Sequence, residues 1–173
     1  MKKFTLLVFV VFFVVFVSML RSGVSAFTGG DGSSENPYQI TNCVQLQEMK
    51  NNLNAHYVLM NDIDCSDTVN WNSGVGFVPI YLFAGTFDGQ GHKITDLFIK
   101  NPHHAALSYN YVGLFAITMS GAVIKNVGLV DVKIIVQWGG AVGGLVGHNR
   151  GTITNSYATG SVTSLDFHGQ LFA

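Results

Sequence analysis

Three carboxylates that stand close together, Asp62, Asp64 and Asp67, raise two kinds of chemistry. A calcium ion takes six to eight oxygen ligands, and clustered short acidic side chains are one way to supply them. Two carboxyl groups flanking a sugar linkage can also cleave it, one as acid and the other as base or nucleophile. The local pattern argues against both. Asp62 and Asp64 alternate with Ile63, so in an extended strand they point outward if Ile63 points into a core. No ligand-rich loop of the EF-hand type follows. The expectation is a solvated strand face running into a turn, with calcium at Asp62, Asp64 and Asp67 as the alternative.

The other chemical candidates resolve the same way. Asp88 and His92 could form an acid–base pair, but Asp88-Gly89-Gln90-Gly91 has the composition of a turn, where Asp bonds the nearby backbone and Gly accepts positive φ. His103, His104 and His148 have no Glu or Cys partner beside them. No serine sits in a Gly-x-Ser-x-Gly setting. The run Gly139-Gly140-Ala141-Val142-Gly143-Gly144 lacks the Gly-Lys-Ser/Thr ending of a phosphate loop and opens no helix. Tight β-corners account for it better. Trp71, Phe83, Phe87, Tyr109, Tyr111 and Trp138 could include a sugar-stacking platform, though most are expected in the core or at corners. No catalytic residue, cofactor or metal is expected.

The elements that would position such groups begin with a segment of another kind. In a chain of 173 residues, Lys2 and Lys3 precede an uncharged apolar run from Phe4 to Leu20, and Val24-Ser25-Ala26 supplies small residues for a signal peptidase. Residues 1–26 are read as a secretory signal cut after Ala26. The alternative is an uncleaved signal anchor, since the run is just long enough to span a bilayer. Of 9 Lys and Arg, the segment takes Lys2, Lys3 and Arg21 and leaves 6, against 10 Asp and Glu, so the exported part carries a net charge of −4. No basic cluster remains, which speaks against nucleic acid and anionic membrane surfaces as partners. Export also favours a disulfide between the two cysteines, Cys43 and Cys65. Such a link would contribute about 3–4 kcal/mol in the chain-entropy model; two independent buried thiols are the alternative. Neither cysteine has a second Cys or His at zinc-ligand spacing.

Residues 27–35 are rich in Gly, Ser and Asp and predict a flexible lead-in. Asn36-Pro37-Tyr38-Gln39-Ile40 predicts an extended entry. Thr41 or Asn42 can cap a helix over 43–53, with Leu46, Met49 and Leu53 on one stripe. From Tyr57 the period becomes two, predicting a strand that ends near Cys65. Short apolar segments follow at 77–80 and 83–87.

An internal repeat dominates the rest. Ile94, Ile124 and Ile153 lie 30 and 29 residues apart, and Asp96, Asn126 and Asn155 keep that spacing. Beside them, Tyr111-Val112-Gly113-Leu114-Phe115-Ala116 matches Ala141-Val142-Gly143-Gly144-Leu145-Val146-Gly147, and Gly169-Gln170-Leu171-Phe172-Ala173 resembles a third, damaged copy. A period near 30 with short β-branched runs, corner Gly and a recurrent Asn predicts a mainly β fold, a parallel β-helix or solenoid of ~30-residue coils. The repeats run at about 92–122, 123–151 and 152–173, the last incomplete, within one domain over 36–173. Stacking puts Ile on Ile and Leu114 on Leu145, and Asn126 and Asn155 can join a hydrogen-bonded ladder. The helix would cover the N-terminal end of the stack, where bare strand edges invite aggregation.

The stretch Val142-Gly143-Gly144-Leu145-Val146-Gly147, followed by Gly151-Thr152-Ile153-Thr154-Asn155-Ser156-Tyr157-Ala158-Thr159-Gly160, resembles the GLUG-motif repeat, whose Gly-Leu-hydrophobic-Gly signature falls at Gly144 to Gly147. Asn36-Pro37-Tyr38-Gln39-Ile40, Tyr57 to Asp64, and Phe87-Asp88-Gly89-Gln90-Gly91-His92 resemble the block that precedes such repeats. The likeness covers nearly all of the exported part. It implies a right-handed parallel β-helix in a large exported or cell-surface protein, often adhesin-like. Some family members carry the repeats beside an immunoglobulin-cleaving metallopeptidase domain; no His-Glu-x-x-His occurs here. The sequence departs from the motif where Ala116 replaces its final glycine, and where Asp166-Phe167-His168 precedes the third copy in place of glycine. Those departures suggest a fragment, a frameshifted end or a short paralogue.

The expected function is a non-catalytic surface module, structural or adhesive, whose partner is a surface ligand such as a glycan or a host or neighbour-cell protein, and which continues into or stacks on further repeats. The alternative is a carbohydrate-active β-helix enzyme, a lyase or glycosidase, drawing on Asp62, Asp64, Asp67 and Asp88.

Overall fold

A computed structural model describes residues 27–101, 111–137 and 140–165. The segment read as a signal, His103, His104, Tyr109, Trp138 and the third repeat copy at 169–173 lie outside these residues.

The chain enters through β1 (Tyr38–Ile40), turns into α1 (Cys43–Glu48) and runs on through a 3-10 turn, Met49–Asn51. Asn42 starts the helix by accepting the Gln45 amide at 3.0 Å, so the expected cap holds. Leu46 and Met49 are fully buried and Leu53 packs against the core. The helix is shorter than the expected 43–53. Asn52 leaves helical geometry, and Asn51 turns its side chain back to Glu48. Such local side-chain bonds compete with helix propagation.

Eleven more strands are described: β2 (His56–Leu59), β3 (Ile63–Asp64), β4 (Thr86–Asp88), β5 (Lys93–Thr95), β6 (Phe98–Asn101), β7 (Phe115–Thr118), β8 (Val123–Lys125), β9 (Gly128–Gln137), β10 (Val146–Asn149), β11 (Thr152–Thr154) and β12 (Tyr157–Leu165). They pair in parallel in three sheets. The first has the order β1-β2-β4-β8-β11, the second β12-β9-β5-β3 with β6 also on β9, and the third β10-β7. The third gains a rung from bridges Ile80 to Phe115 and Phe83 to Thr118. From β2 to β10 the chain runs through the first, second and third sheets in turn.

The expected single strand from Tyr57 to Cys65 is two strands in different sheets. Tyr57 and Leu59 are buried and Ile63 is buried again, but Asn61 is exposed and its amide bonds Thr41 O at 3.1 Å. The alternation breaks there because the chain turns a corner. The predicted lead-in over 27–35 is also corrected. It folds back antiparallel on β1, with Gln39 N donating to Gly29 O at 2.8 Å, Phe27 stacked on Tyr38 at 4.5 Å, and Asp31 accepting from Ser33 N and Asn36 Nδ2. A single aromatic and one Asp-centred turn leave no periodic trace in the sequence.

The repeat is real but its first copy is out of phase with expectation. Tyr57, Phe87, Ile124 and Ile153 are the register partners in the first sheet. Ile94 stacks instead on Ile63 and Leu129 in the second. The first repeat therefore starts at Thr86, not near residue 92. The misleading signal has a physical origin. Asp96 after β5 and Asn126 after β8 both sit in the left-handed region (φ 57° and 54°), and Leu97 and Val127 follow, both buried. A bend within the second sheet and a corner between the first and second thus use one local recipe.

Packing follows the register. Ile40, Leu59, Phe87, Ile94, Ile124, Leu129 and Ile134 form one continuous buried core, each worth about 1.5–3 kcal/mol on burial. An aromatic series runs through it, with Tyr57 beside Phe83 and Phe83 beside Phe115. Burial pushes the Tyr57 phenol pKa up, and its hydroxyl donates to Asn52 O at 2.6 Å. Over this stack, α1 takes the place that second- and third-sheet strands hold in later passes. Cys65, at the end of β3, is bonded to Cys43 on the helix with Cα atoms 5.3 Å apart, as predicted. Gln47 bonds both Val78 N and Val78 O. Among the described residues no helix is long and apolar enough to cross a membrane.

Candidate functional site

The corner between the first and second sheets concentrates the polar chemistry. Asp88 ends β4 and its Oδ1 accepts the Gln90 amide at 2.9 Å, closing the turn in which Gln90 and Gly91 both have positive φ. On the next pass Asn126 donates Nδ2 to the same Oδ1 at 3.0 Å, and Lys125 Nζ lies 3.1 Å from Oδ2. On the pass after that, Asn155 donates Nδ2 to Asn126 Oδ1 at 2.9 Å. The ladder is therefore Asp88–Asn126–Asn155. Asp96, which shares the sequence spacing, lies instead within the second sheet, between β5 and β6, where its N donates to Val130 O of β9. Burial pushes the Asp88 carboxyl pKa up, but the Gln90 amide, Asn126 and Lys125 outweigh it and hold the group below its ordinary value.

The acidic candidates do not converge. Asp62 accepts Lys93 N at 3.0 Å and faces His92 Nδ1 at 3.1 Å; these bonds, the Lys93 amide first, lower its pKa. His92 thus pairs with Asp62 rather than Asp88. Asp64 accepts Ser66 N at 2.8 Å, and that amide lowers its pKa too. Asp67 is exposed in the turn that follows. Among the described residues no three His, Cys, Asp or Glu come together to hold a metal ion.

The motif residues line the third sheet. Leu114 N donates to Gly144 O and Phe115 N to Leu145 O, which stacks Leu114 on Leu145, both buried. Gly113 and Gly147 are set by close approach of the backbone. A Cβ on Gly113 would lie 2.6 Å from Gly143 O, and one on Gly147 would lie 2.7 Å from Val112 N. Gly143 and Gly144 occupy the same strand entry, and Ala116, where the motif has glycine, is buried at the register position of Gly147. Of the aromatic candidates, Phe83 and Phe87 are core residues and Trp71 packs on Phe77. Tyr111 stacks on His148 at 4.8 Å, and His148 Nε2 accepts from Arg150 Nε. These described aromatics form no common platform.

Two features escaped the sequence reading. The rung formed by Ile80 and Phe83 is the third sheet's first strand in all but regularity, while Phe77 N bonds Phe98 O of β6. The other is the bare last rung. Ile153 and Val162 are 37% and 54% exposed, although their partners Ile124 and Ile134 are 0% exposed.

The family model described as the GLUG motif matches residues 139–163, the stretch containing β10, β11 and most of β12. A “Putative Gly-rich membrane protein” of Evansella cellulosilytica is 33% identical over 90% of this chain, which spans 18% of that relative. “Halomucin” of Haloquadratum walsbyi is 35% identical over 85% of the chain, which spans 2% of it. The chain thus spans only a small part of these curated relatives. A crystal structure of a “putative immunoglobulin A1 protease” from Bacteroides ovatus superposes with a TM-score of 0.61 at 22% identity, over 84% of this chain and 48% of that one. That likeness concerns the fold alone.

Proposed function

We propose, for a chain that carries the GLUG motif, a non-catalytic role as an exported or cell-surface β-helix, a structural or adhesive module whose parallel sheets close into a solenoid. One observation carries the reading: the carboxylates Asp62, Asp64 and Asp88 each brace a separate turn and do not converge on one site. Asp62 and Asp64 hold backbone amides of their own or the next pass, and Asp88 holds an amide, an asparagine and a lysine. Cleavage of a sugar linkage needs two carboxyl groups flanking one bond, and these three serve separate turns. Parallel pairing of successive passes supports the solenoid, and the Cys43–Cys65 bond supports an oxidising compartment. The printed names of the two relatives support a surface setting.

The test is a glycan and matrix-protein array probed with the purified exported chain, alongside turnover assays on acidic and neutral polysaccharides with and without calcium. Saturable binding without turnover supports the module. Turnover abolished by a single acidic substitution overturns it.

A further inference from the structure

We infer that Arg150, held by His148 and Tyr111 on the flank of the third sheet, is a recognition point for a carboxylated polysaccharide, one whose sugar rings carry uronate groups. The inference rests on the adhesive reading above and deepens it by naming a ligand class and a face.

Three side chains from two passes meet there. Tyr111 enters just before the bridge of Val112 to Val142, and its ring stacks on His148 at 4.8 Å. His148 Nε2 accepts from Arg150 Nε at 3.1 Å. The Arg150 backbone is fixed as well. Its N–H donates to Thr118 O at 3.1 Å and to Oγ1 of the same buried threonine at 3.2 Å. Gly151 N donates to Asn149 Oδ1 at 3.1 Å. Tyr111 and Thr118 thus place the arginine from the pass before it. Ile117, the register partner of His148, is buried yet stands outside the continuous core, which sets this column on the outer side of the sheet.

A long arginine side chain normally loses up to about 2 kcal/mol of rotamer freedom when a ligand fixes it. Here Nε is engaged before any ligand arrives, so less freedom remains to be lost. Nη1 and Nη2 have no partner among the described residues. A planar carboxylate matches that pair of donors, two oxygens to two N–H groups.

Charge selects the same class. The exported part carries more acid than base, yet between Leu97 and Leu165 the only acidic residue is Asp131, on β9 in the second sheet. β7, β10 and the segment 80–83 contain none, and no described carboxylate pairs with Arg150. An anion approaching this flank therefore meets a cation without the repulsion present near Asp62 and Asp88. A polysaccharide is favoured over an acidic peptide because one guanidinium contributes little alone. A polymer that repeats its carboxylate on rigid rings loses little freedom on binding and engages several surface copies together.

The experiment immobilises the purified exported chain on a sensor and passes polygalacturonate over it, with carboxyl-reduced polygalacturonate, dextran sulfate and polyglutamate as comparisons. The expected result is saturable binding of polygalacturonate that falls about tenfold or more on carboxyl reduction, and equally with Arg150→Ala. Arg150→Lys keeps the charge without the fork and should recover only part of the loss. His148→Ala should weaken binding, and His148→Gln, whose amide oxygen can still accept from Arg150 Nε, should restore most of it. Lys133→Ala removes an exposed cation from the second sheet and should leave binding within about twofold. Arg150 is exposed, so circular dichroism should be unchanged. Absence of polygalacturonate binding, equal losses from Arg150→Ala and Lys133→Ala, or dextran sulfate or polyglutamate bound with the same dependence on Arg150, overturns the inference. A chain that binds other array ligands with or without Arg150, but not polygalacturonate, overturns this inference and leaves the proposed function standing.

Discussion

Asn126 donates its side-chain amide to Asp88 across 3.0 Å from one pass of the chain to the next. Asp88 also accepts Gln90 N and faces Lys125, so one carboxylate joins a turn to the rung above it. Asp88→Ala should leave the Gln90 amide and Asn126 without this acceptor, at a cost of about 1–3 kcal/mol. Urea unfolding should show a lower midpoint at unchanged slope, and Asp88→Asn should lose less.

The same carboxylate sets a pH dependence. Its folded pKa lies below the ordinary value, so the unfolded chain binds the proton more readily. The contribution is present above the unfolded value of about 3.9 and is lost as pH falls through the lower folded value. Asp62 shifts in the same direction. Thermal midpoints should therefore be flat near neutrality and fall below about pH 4, and Asp88→Ala should flatten the fall.

Gly113→Ala places a methyl 2.6 Å from Gly143 O, against backbone that cannot step aside. Overpacking of this kind costs about 1–3 kcal/mol. A thermal midpoint lowered by several degrees, with Gly147→Ala behaving alike, is the expected outcome; unchanged midpoints would mean that the rungs move apart freely.

Replacing Cys43 and Cys65 by Ser removes the link between the helix and β3. The loss should be about 2–5 kcal/mol, matched by reductant on the parent chain. Proteolysis should then begin near residues 43–53, since the cap is what the bond retains.

Ile124→Ala and Ile153→Ala remove the same group at register partners one pass apart. The buried site should lose about 2–5 kcal/mol. The exposed one should stay within about 0.5 kcal/mol. Paired denaturation curves test whether the last rung is as open as its exposure indicates.

Much of this was legible without coordinates. The helix stripe Leu46, Met49 and Leu53, the turn at Asp88, the Leu114 and Leu145 pairing and the Cys43–Cys65 bond each rest on local periodicity, turn chemistry or compartment. The phase of the first repeat was not legible. Ile94 with Asp96 and Ile124 with Asn126 share one short pattern because every left-handed corner asks for Asp or Asn and every strand asks for an inward apolar residue. Four residues, Gly89 to His92, separate β4 from β5 where only Asn126 and Val127 separate β8 from β9, and this difference hides the true partner, Phe87.

The sequence by itself determined the repeat, the parallel pairing it implies and the absence of any recognised catalytic motif, because spacing, glycine and asparagine placement and cysteine count are properties of a linear string. Only the tertiary structure decided which Asp starts the ladder, that Asp62 meets His92, that residues 27–35 are pinned to β1, and that Ile153 and Val162 lie bare. Those facts depend on which rung lies above which corner, and strand register is settled by packing between passes rather than within any one of them.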